Sequence, residues 1–205
     1  MLSSKTSNFL LVAGIIGFIV MTISQMLQGG DNQGTAESIA WAASNDDWKW
    51  IMPIRLLAVV FMLIFTVGLT SWARNFNESS GLIHVGTHFT LIGLVLLWVS
   101  IISQLAGFDI ASDSTEPAEA AHALVKLSGM TGFLGGASFA FSLFLIGIKL
   151  YIDKVGIPAL NALIALLGII GVVGSFIGMW MIWVVCFGIA LLLLAIIGIQ
   201  NVIRA

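Results

Sequence analysis

Charge is missing from the places where an ion pump would need it. The chain has 205 residues with 8 Lys+Arg and 10 Asp+Glu. All of these fall at or outside the ends of six long apolar runs, and none lies near the middle of a run. About 20 consecutive apolar residues span the hydrocarbon of a bilayer, and a charge at its centre is costly. The pattern predicts a polytopic, all-α integral membrane protein. It also removes the ionisable groups at depth on which proton and ion pumps rely.

Other absences narrow the function. A single cysteine, Cys186, cannot make an internal disulfide, and within the last apolar run it reads as a small buried hydrophobe. There is no Gly-x-Ser-x-Gly, no phosphate loop, no His-Glu-x-x-His and no cysteine pair. Ser138, which follows Gly135-Gly136-Ala137, has no histidine at matching depth to activate it. An enzyme acting alone is not expected. No basic patch is present, which argues against nucleic acid. Charged residues are 9% of the chain, against about 25% in soluble domains. With 59% hydrophobic residues and a mean hydropathy of +1.08, residues 1–205 read as one membrane domain.

What is present sets the topology. The apolar runs predict six transmembrane helices in one bundle, over residues 9–27, 51–72, 82–108, 124–151, 158–178 and 179–203. The first run has no A-x-A site directly behind it and reads as a span, not a signal peptide. One set of loops and ends carries Lys5, Arg74, Lys149, Lys154 and Arg204, with Glu78 and Asp153. The opposite set carries Lys49, Arg55 and Lys126 among eight acidic residues. Counting Lys and Arg, the positive-inside rule predicts both termini in the cytoplasm, with the protein in the cell (plasma or inner) membrane.

Both larger loops are then external. After Gly29-Gly30-Asp31, residues 35–44 predict a short helix with Trp41 on one side, and Trp48 and Trp50 anchor the next helix at the headgroups. Pro53 is expected in the first turn of the second span, where its missing N–H does no harm. Ser114 or Thr115 is expected to cap a helix starting near Pro117 and projecting above the membrane.

Three histidines raise a metal or haem. His84 and His88, four apart, share one face at the inner end of the third span, while His122 stands at the outer end of the fourth. Opposite leaflets are roughly 30 Å apart, so His88 and His122 of one molecule cannot clamp a haem. Glu116, Glu119 and His122 form a second cluster in which Glu119-x-x-His122 has the offset of carboxylate-bridged metal sites. No second copy of that motif occurs, and acidic residues in a first turn also offset the helix dipole. His84, His88, Glu119 and His122 are the candidate metal ligands; no cofactor is otherwise expected, and bound lipid is.

Arg55 and Lys126 are the charges nearest the hydrocarbon. Arg55 is expected to pair with Asp46, Asp47 or Glu119, or to snorkel to headgroups. Gln25, Ser100, Ser103 and Gln104 lie toward the same external half and could line a shallow cavity below it, although such groups more often bond helix to helix. Small-residue stripes recur: Gly132-x-x-x-Gly136 in the fourth span, and Gly168, Gly171, Gly174 and Gly178 in the fifth. They let backbones approach closely, within the chain or against a partner.

The expected function is a non-catalytic accessory or structural subunit packed against other integral membrane subunits and lipids. The alternatives are a carrier or channel for a small neutral or lipophilic solute, and a metal- or haem-associated redox subunit.

Overall fold

A computed structural model describes residues 2–27, 35–76, 80–113, 118–177 and 180–204. These residues form seven α-helices: α1 (Ser4–Leu27), α2 (Thr35–Ser44), α3 (Trp48–Phe76), α4 (Gly81–Ser112), α5 (Ala118–Ile152), α6 (Pro158–Phe176) and α7 (Trp180–Arg204). Five of them, α1, α3, α4, α5 and α6, are long and apolar enough to cross a membrane. In α7 the described apolar stretch is shorter, Val185–Ile199.

Several helices overrun the apolar runs that predict them. The second run covers 51–72, yet α3 begins at Trp48, because the Lys49 and Ile51 amides already donate to Asp46 O (3.0 Å) and Asp47 O (3.1 Å). Apolarity marks the hydrocarbon, whereas the hydrogen-bond ladder continues into the interface. Pro53 is consequently not in the first turn but inside α3, where it removes one i→i−4 bond near the helix start. At the other end of the bundle, Ser80 caps α4 by accepting from the Ile83 amide. Ser114, Thr115, Glu116 and Gly178 lie outside the described residues.

The large helices follow one another around the bundle in the order α1, α3, α4, α5, α6, α7 and back to α1. Each reverses the direction of the last. Asn75 at the end of α3 donates to Ser7 at the start of α1 (3.3 Å), and a Cβ on Gly198 in α7 would lie 2.9 Å from Val12 Cγ2 in α1. The beginning of α1 and the end of α7 therefore share one end of the bundle.

The middle of the bundle is filled by rings. Phe18 of α1 lies edge-on to Phe65 of α3 (5.0 Å), Phe139 of α5 (5.7 Å) and Phe187 of α7 (5.1 Å). All four are buried. Edge-to-face pairs at this spacing are favourable beyond the area they bury. The short helix α2 packs on the ends of α4 and α5 away from the termini. There Trp41 and Trp48 meet Phe108 at 5.8 and 6.4 Å, beside Ala42, Ile51, Met52 and Val125.

Glycines bring helices to backbone contact. A Cβ on Gly14 would lie 2.2 Å from the Phe65 nitrogen, and one on Gly68 2.4 Å from the Leu11 nitrogen, so α1 and α3 touch main chain to main chain. Gly147 and Gly168 do the same between α5 and α6. Across α4 and α5 the close pair is Gly93 with Gly135, while Gly132 faces the Ser100 hydroxyl. Gly132-x-x-Gly135 thus forms a working face, since i,i+3 spacing aligns residues as i,i+4 does. Gly136, Gly171 and Gly174 are buried.

Hydroxyls join α4 to α5 as well. Thr90 bonds Ser142, and Ser100 donates to the Ser128 carbonyl at 2.8 Å. Interhelical bonds in membranes are worth about 1 kcal/mol or somewhat less. Thr90→Val, which keeps the shape and removes the hydroxyl, is expected to cost about 1 kcal/mol in an SDS unfolding titration. Adding Ser142→Ala should cost little more, because both changes break one bond.

Candidate functional site

The most buried charge among the described residues is Arg55, 3% exposed, one to two turns into α3. Its Nε donates to Ser24 Oγ of α1 at 3.2 Å and one Nη to the Ser24 carbonyl at 3.3 Å. The other Nη donates to Gln104 Oε1 of α4 at 2.6 Å. A guanidinium presents five N–H donors in a rigid fork, which suits it to tie several helices at once. Here it joins α1, α3 and α4 near the end of the bundle remote from the termini.

This differs from pairing with a nearby acid. Asp46 is held by Lys49 at 2.7 Å, and Asp47 accepts from Trp50 Nε1 at 3.1 Å. Both are surface contacts of the turn before α3, while Arg55 points sideways into the bundle. Glu119 and Lys126 are exposed on α5. Of the residues grouped with Arg55 by depth, Gln104 meets it, Ser100 turns instead to Ser128, and Ser103 is buried. The side chain of Gln25 lies outside the described residues. Ser24, which the sequence grouping leaves out, supplies two of the contacts. Its signal is depth, since it lies near the end of α1 as Arg55 lies near the start of α3.

The candidate metal ligands fall into two groups, at opposite ends of the bundle. His84 and His88 are exposed near the start of α4, with ring centroids 5.5 Å apart and His88 Nδ1 2.7 Å from the His84 carbonyl. His122 is exposed at the other end, level with Gly107, whose Cβ would meet the Ala121 carbonyl and Leu124. Gly107 and His88 are separated by about 30 Å of α4. Among the described residues no three His, Cys, Asp or Glu side chains gather as a metal site would require. Asp153, at the same end of the bundle as His84 and His88, accepts from Lys149 at 2.6 Å.

Sequence reasoning also passes over a set of buried, unsatisfied polar groups. Among the described residues, Asn8 Oδ1, Trp48 Nε1, Trp72 Nε1 and Arg74 Nε are buried without a hydrogen-bond partner. Three of them, Asn8, Trp72 and Arg74, lie at the end of the bundle that holds the termini. Trp72 also lines an apolar crevice with Leu69, Leu143, Ile146, Leu150 and Asn161 that has no room for a water molecule. Arg74 is half-buried, and its one described contact is an Nη at 3.5 Å from Thr87 Oγ1, the far limit of a hydrogen bond. Depth in the sequence sets Arg55 apart from Arg74, but which of them finds acceptors depends on how the helices cross.

The geometry thus offers one cation fully engaged between helices and another barely engaged, in a bundle whose axis is filled. Comparison of the chain with protein-family models, with curated proteins and with solved structures finds no match, so no family is assigned from likeness.

Proposed function

We propose that this chain is a non-catalytic accessory or structural subunit of a larger membrane-protein complex. It crosses the cell membrane six times, α7 being the sixth span, with both termini in the cytoplasm and with lipids and other integral subunits as its partners. The observation that carries this reading is the filled axis: Phe18, Phe65, Phe139 and Phe187 close the middle of the bundle. A carrier or channel needs polar groups lining a path through that point. Here Arg55 donates to both Ser24 and Gln104, and Ser100 and Thr90 bond α5. The polar groups are spent on holding helices together, as a scaffold needs. Outward, every described long helix presents large apolar side chains, among them Ile19, Leu57, Val95, Leu127, Leu166 and Leu192.

The glycine stripes do not add to this reading, because Gly132 and Gly168 face neighbours within the chain. A partner would seat on the outward aliphatic faces. The test is native mass spectrometry of the protein extracted in mild detergent from its own membrane. Stoichiometric co-purifying chains are expected. A lone monomer or homo-oligomer would sink the subunit reading and bring solute transport forward.

A further inference from the structure

The subunit reading leaves one pair of metal-ligating side chains without a role, His84 and His88 on the exposed face of α4. Four residues apart, they rise from the same side of consecutive turns. Their ring centroids are 5.5 Å apart and the ring planes are tilted by 47°. Two histidines at this spacing on one helix hold a single zinc in helical metalloprotease sites. Metal–nitrogen bonds of about 2.0–2.1 Å and a tetrahedral angle put two such ring centres about 5 Å apart. The pair stands close to that separation with no helix having to move.

The proton on His88 is also in the right place. Its Nδ1 lies 2.7 Å from the His84 carbonyl oxygen. A carbonyl only accepts, so Nδ1 donates, and in the neutral ring Nε2 is left with a bare lone pair. Metal-bound histidines donate their other N–H to a carbonyl or carboxylate in the same manner, which fixes tautomer and ring orientation. Among the described residues, no hydrogen bond occupies the ring nitrogens of His84 or the Nε2 of His88.

Depth leaves the pair within reach of an ion. As a span, α4 has 32 residues, about 48 Å, against about 30 Å of hydrocarbon, so roughly its first 9 Å stand among the headgroups. His84 lies within that length and His88 at its inner edge, and helical side chains lean toward the helix start, here toward water. The positive end of the helix dipole opposes a cation there by about fivefold at most. A second imidazole held beside the first strengthens binding by about 100-fold, because its attachment is intramolecular. The pair outweighs the dipole.

We infer that His84 and His88 form a two-imidazole clamp for one divalent transition-metal ion, with water filling its other positions. A closed structural site takes four protein ligands, and the described residues gather no group of three. A clamp with open positions instead exchanges its ion with solution. Imidazole suits zinc and copper, and binds copper the more strongly. The clamp involves neither the filled axis nor a partner chain, so it stands independently of the subunit reading.

Copper(II) alone is the probe, titrated into the full chain in phosphatidylcholine nanodiscs, with pulsed electron paramagnetic resonance to count coordinated imidazoles. One copper ion per chain is expected, carrying two imidazoles. H84A and H88A should each weaken binding about 100-fold and leave at most one imidazole on the metal. H122A, which removes the exposed histidine at the other end of the bundle, should change neither result. Undiminished binding in H84A or H88A would overturn the assignment. So would two copper ions per chain with one imidazole each. Where a variant does not fold, the parent spectrum decides by itself, since a single coordinated imidazole there sinks the clamp.

Discussion

Gly14→Leu is expected to leave no folded protein in mild detergent, while Gly129→Leu folds like the parent. Both changes add the same side chain to a helix inside an apolar span, so hydrophobicity and helix propensity do not separate them. Contact does. A Cβ on Gly14 would sit 2.2–2.4 Å from the Phe65 nitrogen, Cα and Cβ, whereas a Cβ on Gly129 meets nothing within 4 Å. Overpacking a core costs typically about 1–3 kcal/mol when side chains can move aside. At Gly14 the obstacle is the main chain of α3, which cannot rotate away, so the cost lies at or above the top of that range. Moving α3 would also pull Phe65 out of the ring cluster with Phe18 and Phe139. Size-exclusion profiles and melting temperatures of the two variants decide it. A melting temperature of Gly14→Leu within a few degrees of Gly129→Leu would show that α1 and α3 are not packed backbone to backbone.

That contrast marks how far the sequence could be read. Six apolar runs and the short helix at 35–44 are legible because apolarity and helical periodicity are local properties. The limits of α3 and of Pro53 within it were not, since the ladder starts in a polar turn at Asp46 and Asp47 that hydropathy cannot see. Glycine spacing shows that helices come close, but not which partner each glycine meets. Gly132 and Gly136 stand out by motif, yet Gly93 and Gly135 make the crossing of α4 and α5, because register between helices is settled by all their side chains together. The same holds for charge. Arg55 is conspicuous by depth, but its partners Ser24 and Gln104 lie 31 and 49 positions away, and the nearer Asp46 and Asp47 engage Lys49 and Trp50 instead. His84 and His88 share a face, as four-residue spacing on one helix dictates, but a further ligand would have to come from another helix, and spacing along one helix does not record that.

Arg55→Met is expected to destabilise the bundle by about 3 kcal/mol, since a hydrogen bond to a charged group contributes about 1.5–3 kcal/mol and several are lost together. Methionine fills much the same space, so the cost reports the bonds and not a cavity. The larger part arises from what remains: the Gln104 carbonyl and Ser24 keep their acceptors, now facing apolar neighbours, and stranded polar groups cost more than absent ones. The double variant Arg55→Met with Gln104→Leu removes one of those stranded groups. Replacing a whole buried polar set by apolar residues is often neutral or stabilising. The double variant should therefore be more stable than Arg55→Met alone, with a coupling energy of about 1.5 kcal/mol, near the upper end of what membrane double-mutant cycles give. SDS titrations of the parent, both single variants and the double variant measure it. A coupling near zero would mean that the 2.6 Å contact contributes nothing and that Arg55 is kept for something other than joining helices. In that event a solute that takes the place of Gln104 on the guanidinium becomes the better account of why a charge stands there. A strongly positive coupling means instead that the charge is retained for register: it fixes which faces of α1, α3 and α4 meet, a choice that interchangeable aliphatic side chains leave open.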